Sequence, residues 1–271
     1  MNVQRLSLLI FGLQMFVGCC LFFGNPRRKD GGGVSFSPEW KVPPRVFAAF
    51  LAIGIFIAHV FPLLCLPLLE ALRIPRAPYG AAFLGQLVLL SFLLRTVHSN
   101  HFSFSDGLSA YLPWGHVFRS GIRNYLKSVP LLFLVTVLWM VPLFFLETFG
   151  IPLPLGAQDL LLELETATPV FFLTIVAMAV GVAPVVEELF FRGGIYRYLK
   201  STVGKTPATF LTGLVFALLH WNLCSFLPLF VLSMILVGLY EREGNLLPCV
   251  LVHGLFNLSN LILCQLQSMA S

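Results

Sequence analysis

Charged side chains are scarce in this chain. Asp, Glu, Lys and Arg make up 11% of its 271 residues, where a water-facing domain carries about 25%. So little charge cannot cover a globule in water, which excludes an ordinary soluble domain. Cysteine pairs are missing too. The six cysteines, Cys19, Cys20, Cys65, Cys224, Cys249 and Cys264, lie in or beside apolar runs. None forms a CxxC pair or takes zinc-type spacing with histidine, so they read as small buried hydrophobes. There is no HExxH zinc motif and no GxSxG elbow, which leaves a zincin or a serine hydrolase unsupported. The net charge of +5 and pI near 9.0 would suit nucleic acid, but the basic residues form no face or stripe, so no nucleic-acid binding is expected.

What the chain has in abundance is apolar sequence, 58% of residues with a mean hydropathy of +0.88. Eight runs, at 6–24, 46–69, 79–94, 129–149, 168–191, 207–221, 224–240 and 246–266, read as membrane-spanning helices. They are continuous, without the short alternation of a barrel. The expected fold class is an all-α membrane protein, about eight transmembrane helices in one bundle, with the lipid bilayer as its solvent.

Loop charge orients that bundle. With both termini outside, the inside loops hold Arg27, Arg28, Lys29, Lys41, Arg45, Arg95, Arg119, Arg123, Lys127, Arg192, Arg197, Lys200, Lys205 and Arg242, leaving only Arg5, Arg73 and Arg76 outside. The acidic 150–167 loop suits the outside, as the positive-inside rule expects. A cleaved signal peptide fits the first run poorly, because Arg5 is the only basic residue before it and Arg27-Arg28-Lys29 follow it directly. Gly31-Gly32-Gly33 reads as a flexible loop. Over 104–127, Trp114, Phe118, Ile122 and Tyr125 repeat at helical spacing beside Arg119, Arg123 and Lys127, the pattern of an amphipathic helix lying on the inner surface and forming an elbow before the fourth span. His59, His98, His101 and His116 read as structural or solvated. Two regions follow: 1–128, N-terminal transmembrane helices with the interfacial helix, and 129–266, a helical core.

An ionisable side chain deep in a bilayer costs about 2.5–3.5 kcal/mol on insertion scales and needs a partner, a wet cavity or a function. Three patterns in the last four spans carry such groups. In Glu187-Glu188-Leu189-Phe190-Phe191-Arg192, Glu188 and Arg192 stand i to i+4 and can pair. Glu187 is rotated about 100° away and is left without an evident local partner, available as a general base or acid. Pro184, just before, should kink the helix and free a carbonyl. In Phe216-Ala217-Leu218-Leu219-His220, Phe216 and His220 share a helix face. In His253-Gly254-Leu255-Phe256-Asn257, His253 and Asn257 present polar tips to one side, a pair suited to an oxyanion hole or to gluing helices together. Gly254 permits close helix approach.

The succession EExxxR, FxxxH, HxxxN on separate apolar helices resembles the CPBP family, the CaaX proteases and bacteriocin-processing enzymes also called Abi. The resemblance covers about residues 129–266, and eight spans are similar to the Ras-converting CaaX protease branch. It implies an intramembrane glutamate- or metallo-type endopeptidase whose catalytic core is that region. Glu187 would activate water, His220 would help hold it, and His253 and Asn257 would stabilise the oxyanion. Glu188 and Arg192 would be a supporting ion pair. The resemblance leaves the cofactor open, either none or a zinc ion on Glu187, His220 and His253. The partners it implies are the bilayer and a protein or peptide substrate, lipidated or not. The membrane is the cell (inner) membrane, or the endoplasmic reticulum membrane in a eukaryote. Two other readings compete: a non-catalytic membrane scaffold and a proton-coupled transporter. One tension is built in. If the sixth span starts at Thr206, His220 lies about 20 Å along it, whereas Glu187 reads as close to the inner surface.

Overall fold

The computed structural model describes residues 3–23, 39–99, 104–105, 108, 111–151 and 167–268, without the side chains of 3–8 and 266–268. The Arg27-Arg28-Lys29 run, the Gly31–Gly33 loop, His101 and most of the acidic 150–167 loop lie outside the described residues.

Eight helices form among the described residues: α1 (Val3–Phe23), α2 (Pro44–Ala71), α3 (Ala77–His98), α4 (Trp114–Thr148), α5 (Pro169–Val203), α6 (Lys205–Leu218), α7 (Leu223–Glu243) and α8 (Leu247–Ser268). Six of them are long and apolar enough to cross a membrane, while α6 and the Leu9–Phe22 stretch of α1 are shorter. The chain is a multi-pass integral membrane protein of all-α class. Helical backbone is what lipid requires, since every N–H and C=O must be satisfied inside the segment.

Local chemistry sets the helix ends. Thr168 caps α5, its hydroxyl oxygen accepting from the Phe171 N–H at 3.3 Å, and Pro169 follows in the first turn, where a missing N–H costs nothing. Asn222 caps α7 by accepting from the Ser225 N–H at 2.9 Å. Gly244, at φ 62°, ends α7 with its N–H given to the Tyr240 carbonyl at 2.8 Å. Such short turns fold α5 to α8 back and forth against one another, with α4 packed on α1, α7 and α8.

Three expectations change. The amphipathic stretch is not an elbow: Trp114–Thr148 is one helix of 35 residues, with Pro130 and Pro142 inside it. At about 52 Å it exceeds a hydrocarbon core of about 30 Å, so several turns project beyond the bilayer. Trp114, Phe118 and Ile122 are exposed on it, whereas Tyr125 is buried and bonded to Ser259. The fifth span continues past 191 to Val203. Arg192 and Arg197, read as loop charges, are therefore inside a helix and fully buried. Finally, α6 has only 14 residues, about 21 Å, and His220 lies in the turn after it rather than on its face.

The second of these changes removes the tension. Glu187 stands near the middle of α5, 16 residues before Val203 and so about 24 Å from that end. His220 is 15 residues from Lys205, about 22 Å in the opposite direction along the chain. The two residues meet at one depth. At the charged end, Lys200 and Lys205 pair with the buried Glu241 at 2.7 and 3.1 Å, and Arg242 donates to Asn124 at 3.2 Å.

Candidate active site

Two π-helical turns shape α5, at Met178–Val182 and Leu189–Tyr196. A π turn carries an extra residue and loosens the carbonyl ladder. Pro184 adds to this, having no N–H to give to the Val180 carbonyl. Two carbonyls of the first π turn are used from outside. The Ala179 oxygen accepts from Asn257 Nδ2 at 2.8 Å, and the Val180 oxygen lies against Gly254, where any Cβ would collide with it. Gly254 thus permits the close approach of α8 expected of it.

That approach brings His253 onto Glu188. Glu188 is fully buried, and one of its oxygens, Oε1, accepts from both Arg192 Nη1 and His253 Nδ1 at 2.9 Å. Arg192, equally buried, also gives Nη2 to the hydroxyl and carbonyl oxygens of Ser233 on α7, at 2.8 and 3.2 Å. Its guanidinium stands 4.9 Å from the Phe216 ring centroid. The Phe216 ring also packs on both imidazoles, with centroids 4.6 Å from His220 and 5.8 Å from His253. A charge pair in so dry a place needs hydrogen bonds to hold it, and the chain Ser233–Arg192–Glu188–His253 supplies four across three helices, leaving Glu188 Oε2 and Arg192 Nε without a hydrogen-bond partner.

These bonds fix the imidazoles. A proton on His253 Nδ1 is dictated by the carboxylate beside it. A proton on His220 Nδ1 is dictated by the Phe216 carbonyl, 2.7 Å away, which can only accept. In the neutral rings both Nε2 atoms then offer lone pairs. Both face Glu187: Nε2 of His253 is 3.7 Å and Nε2 of His220 is 3.8 Å from Glu187 Oε2. Those separations are too long for direct hydrogen bonds, and Glu187 Oε2 is buried without a partner. Three acceptor atoms thus converge, an arrangement that suits a small molecule with two hydrogens to donate, such as water. Among the described residues no group of three or more His, Cys, Asp or Glu side chains is gathered in a way that could hold a metal ion. The zinc alternative on Glu187, His220 and His253 therefore carries no step below.

A cavity of about 180 Å³ opens at this point. It is lined by Val186, Glu187, Phe190 and Phe191 of α5, Leu219 and His220 of the turn after α6, Ile55, Ala58 and His59 of α2, and Gln86 and Leu89 of α3. His59, read from sequence as structural or solvated, is a wall residue. His116 instead pairs with Glu243 at 2.7 Å at the charged end. Of the expected site residues, Glu187, Glu188, Arg192, His220 and His253 are brought together, while Asn257 is turned to Ala179. Ser233 and Gln86 are residues that sequence reasoning misses. A single serine or glutamine in an apolar run is a weak signal, and only the partner across the bundle gives it meaning.

Residues 169–259 match the family model of type II CAAX prenyl endopeptidase Rce1-like proteins. That segment, about a third of the chain, is similar to the Rce1-like proteins. The Rce1-like segment holds Glu187, Glu188, Arg192, Phe216, His220, Ser233, His253 and Asn257, and leaves His59 and Gln86 outside. UPF0177 protein YbdI of Lactococcus lactis subsp. lactis (strain IL1403) is 32% identical over 102 residues, 36% of this chain and 52% of that protein. The chain thus spans about half the length of the curated relative it matches. No solved structure matches.

Proposed function

We propose that this chain is an intramembrane endopeptidase, hydrolysing peptide bonds of membrane-associated or lipidated proteins with water activated by Glu187. One observation carries the reading: Glu187 Oε2 is buried, has no hydrogen-bond partner, and is flanked by two imidazole nitrogens whose other ring nitrogens are already engaged. A scaffold would not need this. The gluing is performed by the hydrogen bonds of Glu188, Arg192 and Ser233, whereas the Glu187 oxygen makes no hydrogen bond. The Rce1-like segment supports the peptidase class, and its likeness to prenyl endopeptidases makes a prenylated peptide the first substrate to try.

In this mechanism Glu187 takes a proton as the water oxygen bonds to the scissile carbonyl carbon, with His220 Nε2 orienting the second water hydrogen. The carbonyl oxygen becomes an oxyanion beside Asn257, because the lone pair on His253 Nε2 keeps that ring from donating to it in this tautomer. Asn257 Nδ2 carries two hydrogens, and the one not given to Ala179 is the oxyanion donor. The C–N bond then breaks, Glu187 returns its proton to the leaving amine, and the carboxylate is regenerated. Glu188 and Arg192 act through His253 by fixing its ring and tautomer.

The test is cleavage of a prenylated model peptide by the detergent-purified full chain, wild type against Glu187→Gln, with and without chelator. Wild type cleaves and Glu187→Gln loses about a thousandfold or more in rate, within the range of general-base catalysis, with its melting curve unchanged. Undiminished cleavage by Glu187→Gln refutes the assignment. Loss of wild-type cleavage with chelator would instead bring zinc onto Glu187, His220 and His253.

A further inference from the structure

The cavity lining contributed by α2 and α3, outside the Rce1-like segment, carries two polar side chains, His59 and Gln86, within apolar spans. Gln86 lies within an apolar span, Ala77–His98. Its Oε1 is buried without a hydrogen-bond partner, a cost that any apolar residue would avoid. The backbone holds it there. The neighbouring Gly85 is buried, and a Cβ on it would stand 2.8 Å from the Pro62 ring and 3.3 Å from the Ile57 carbonyl, so α3 is pressed against α2 with no side chain between. Beside it, a π turn at Phe56–Val60 carries His59 into the same wall. π turns cluster at functional sites.

We infer that Gln86 is a substrate-binding residue that holds a backbone amide of the peptide in the cavity that Glu187 also lines. The inference rests on the peptidase reading above. An extended peptide entering a cavity within the bilayer brings N–H and C=O groups that lipid cannot satisfy. A glutamine amide offers one acceptor and two donor hydrogens, the complement of a peptide group. Gln86 and the Glu187–His220 pair, lining one cavity, then fix the peptide between the group that holds it and the group that cuts it. Gln86 touches the substrate away from the reacting atoms, so its loss weakens binding.

The experiment separates this from the hydrolysis reading. Binding of the fluorescent prenylated model peptide is measured on the full chain carrying Glu187→Gln, with Gln86 kept or replaced by Leu or, as a second variant, Met. Four further peptides each carry one N-methyl group, on one of the last four peptide nitrogens. Gln86→Leu and Gln86→Met weaken the unmodified peptide about tenfold, the scale of one buried hydrogen bond. One N-methyl peptide binds about tenfold more weakly to the chain with Gln86 and shows no such penalty with Leu or Met, a readout that a purely structural role would not move. Equal binding to all three chains, N-methyl penalties identical in all three, or no binding of any peptide overturns the inference. Cleavage is scored separately on chains with Glu187 intact. Gln86-dependent binding without wild-type cleavage sinks hydrolysis and keeps Gln86 as a binding residue, and cleavage with Gln86-independent binding does the reverse.

Discussion

Helices α2 and α7 are almost equally apolar, with mean hydropathy 2.4 and 2.3 over their most apolar stretches, yet 11% of the α2 stretch is buried in the protein against 44% of the α7 stretch. On α2 only Phe50 and Gly54 are buried, and Leu63, Leu64 and Leu68 each expose more than 60% of their surface. On α7, Leu232, Ser233, Leu236 and Leu239 are sealed from solvent. Hydropathy measures affinity for an apolar surrounding and is blind to whether that surrounding is lipid or protein. What separates the two helices is their place in the bundle: α7 packs on α4, α6 and α8, and its Ser233 accepts from Arg192. A polar group in contact with lipid has no partner, so the one that accepts from Arg192 must face inward.

Four substitutions test this contrast, in falling order of effect. Arg192→Leu leaves Glu188 as an uncompensated buried charge and should cost about 3–5 kcal/mol. The double change Glu188→Leu with Arg192→Leu should cost less than Arg192→Leu alone. Reversible unfolding in mixed micelles measures both, and a neutral Arg192→Leu would show that the pair is wet. Asn257→Leu removes the hydrogen bond to Ala179 and should cost about 1 kcal/mol, typical of a polar contact between membrane helices. Lowered protection of the Met178–Val182 amides in hydrogen exchange should accompany it, and unchanged protection would remove the role assigned to that bond. Leu64→Val on α2, 64% exposed, should change stability by less than about 0.5 kcal/mol. A larger loss in the same assay would mean that this face is covered by protein.

The contrast also explains what could be read from the sequence. The apolar runs mark the eight helices because lipid demands them, and five of the six expected site residues converge because ionisable groups are conspicuous where water is absent. Helix ends were less legible. Arg192 and Arg197 break the apolar run and resemble loop charges, yet both are buried in α5. Polarity along a chain marks where lipid stops, and a helix ignores that boundary when the charges face a partner. Likewise the basic face of Arg119, Arg123 and Lys127 suggests a surface elbow, but the helix runs on through Pro130, which a membrane helix tolerates when its neighbours satisfy the freed carbonyl. Gln86 stayed hidden because its meaning depends on a wall supplied by another part of the chain.

The π turn at Met178–Val182 has a consequence for how this helix can vary. Each residue advances a helix by about 100°, so the extra residue acts as a gear tooth that sets the angular phase of everything downstream relative to Thr168 and the start of α5. Deleting one residue there would leave composition, hydropathy and span length almost untouched while turning Glu187 out of its quadrant and a neighbour into it. The reactive face of α5 is thus held by a count of residues as much as by their identity. Insertions and deletions, which loops between membrane helices absorb freely, are forbidden over this short stretch.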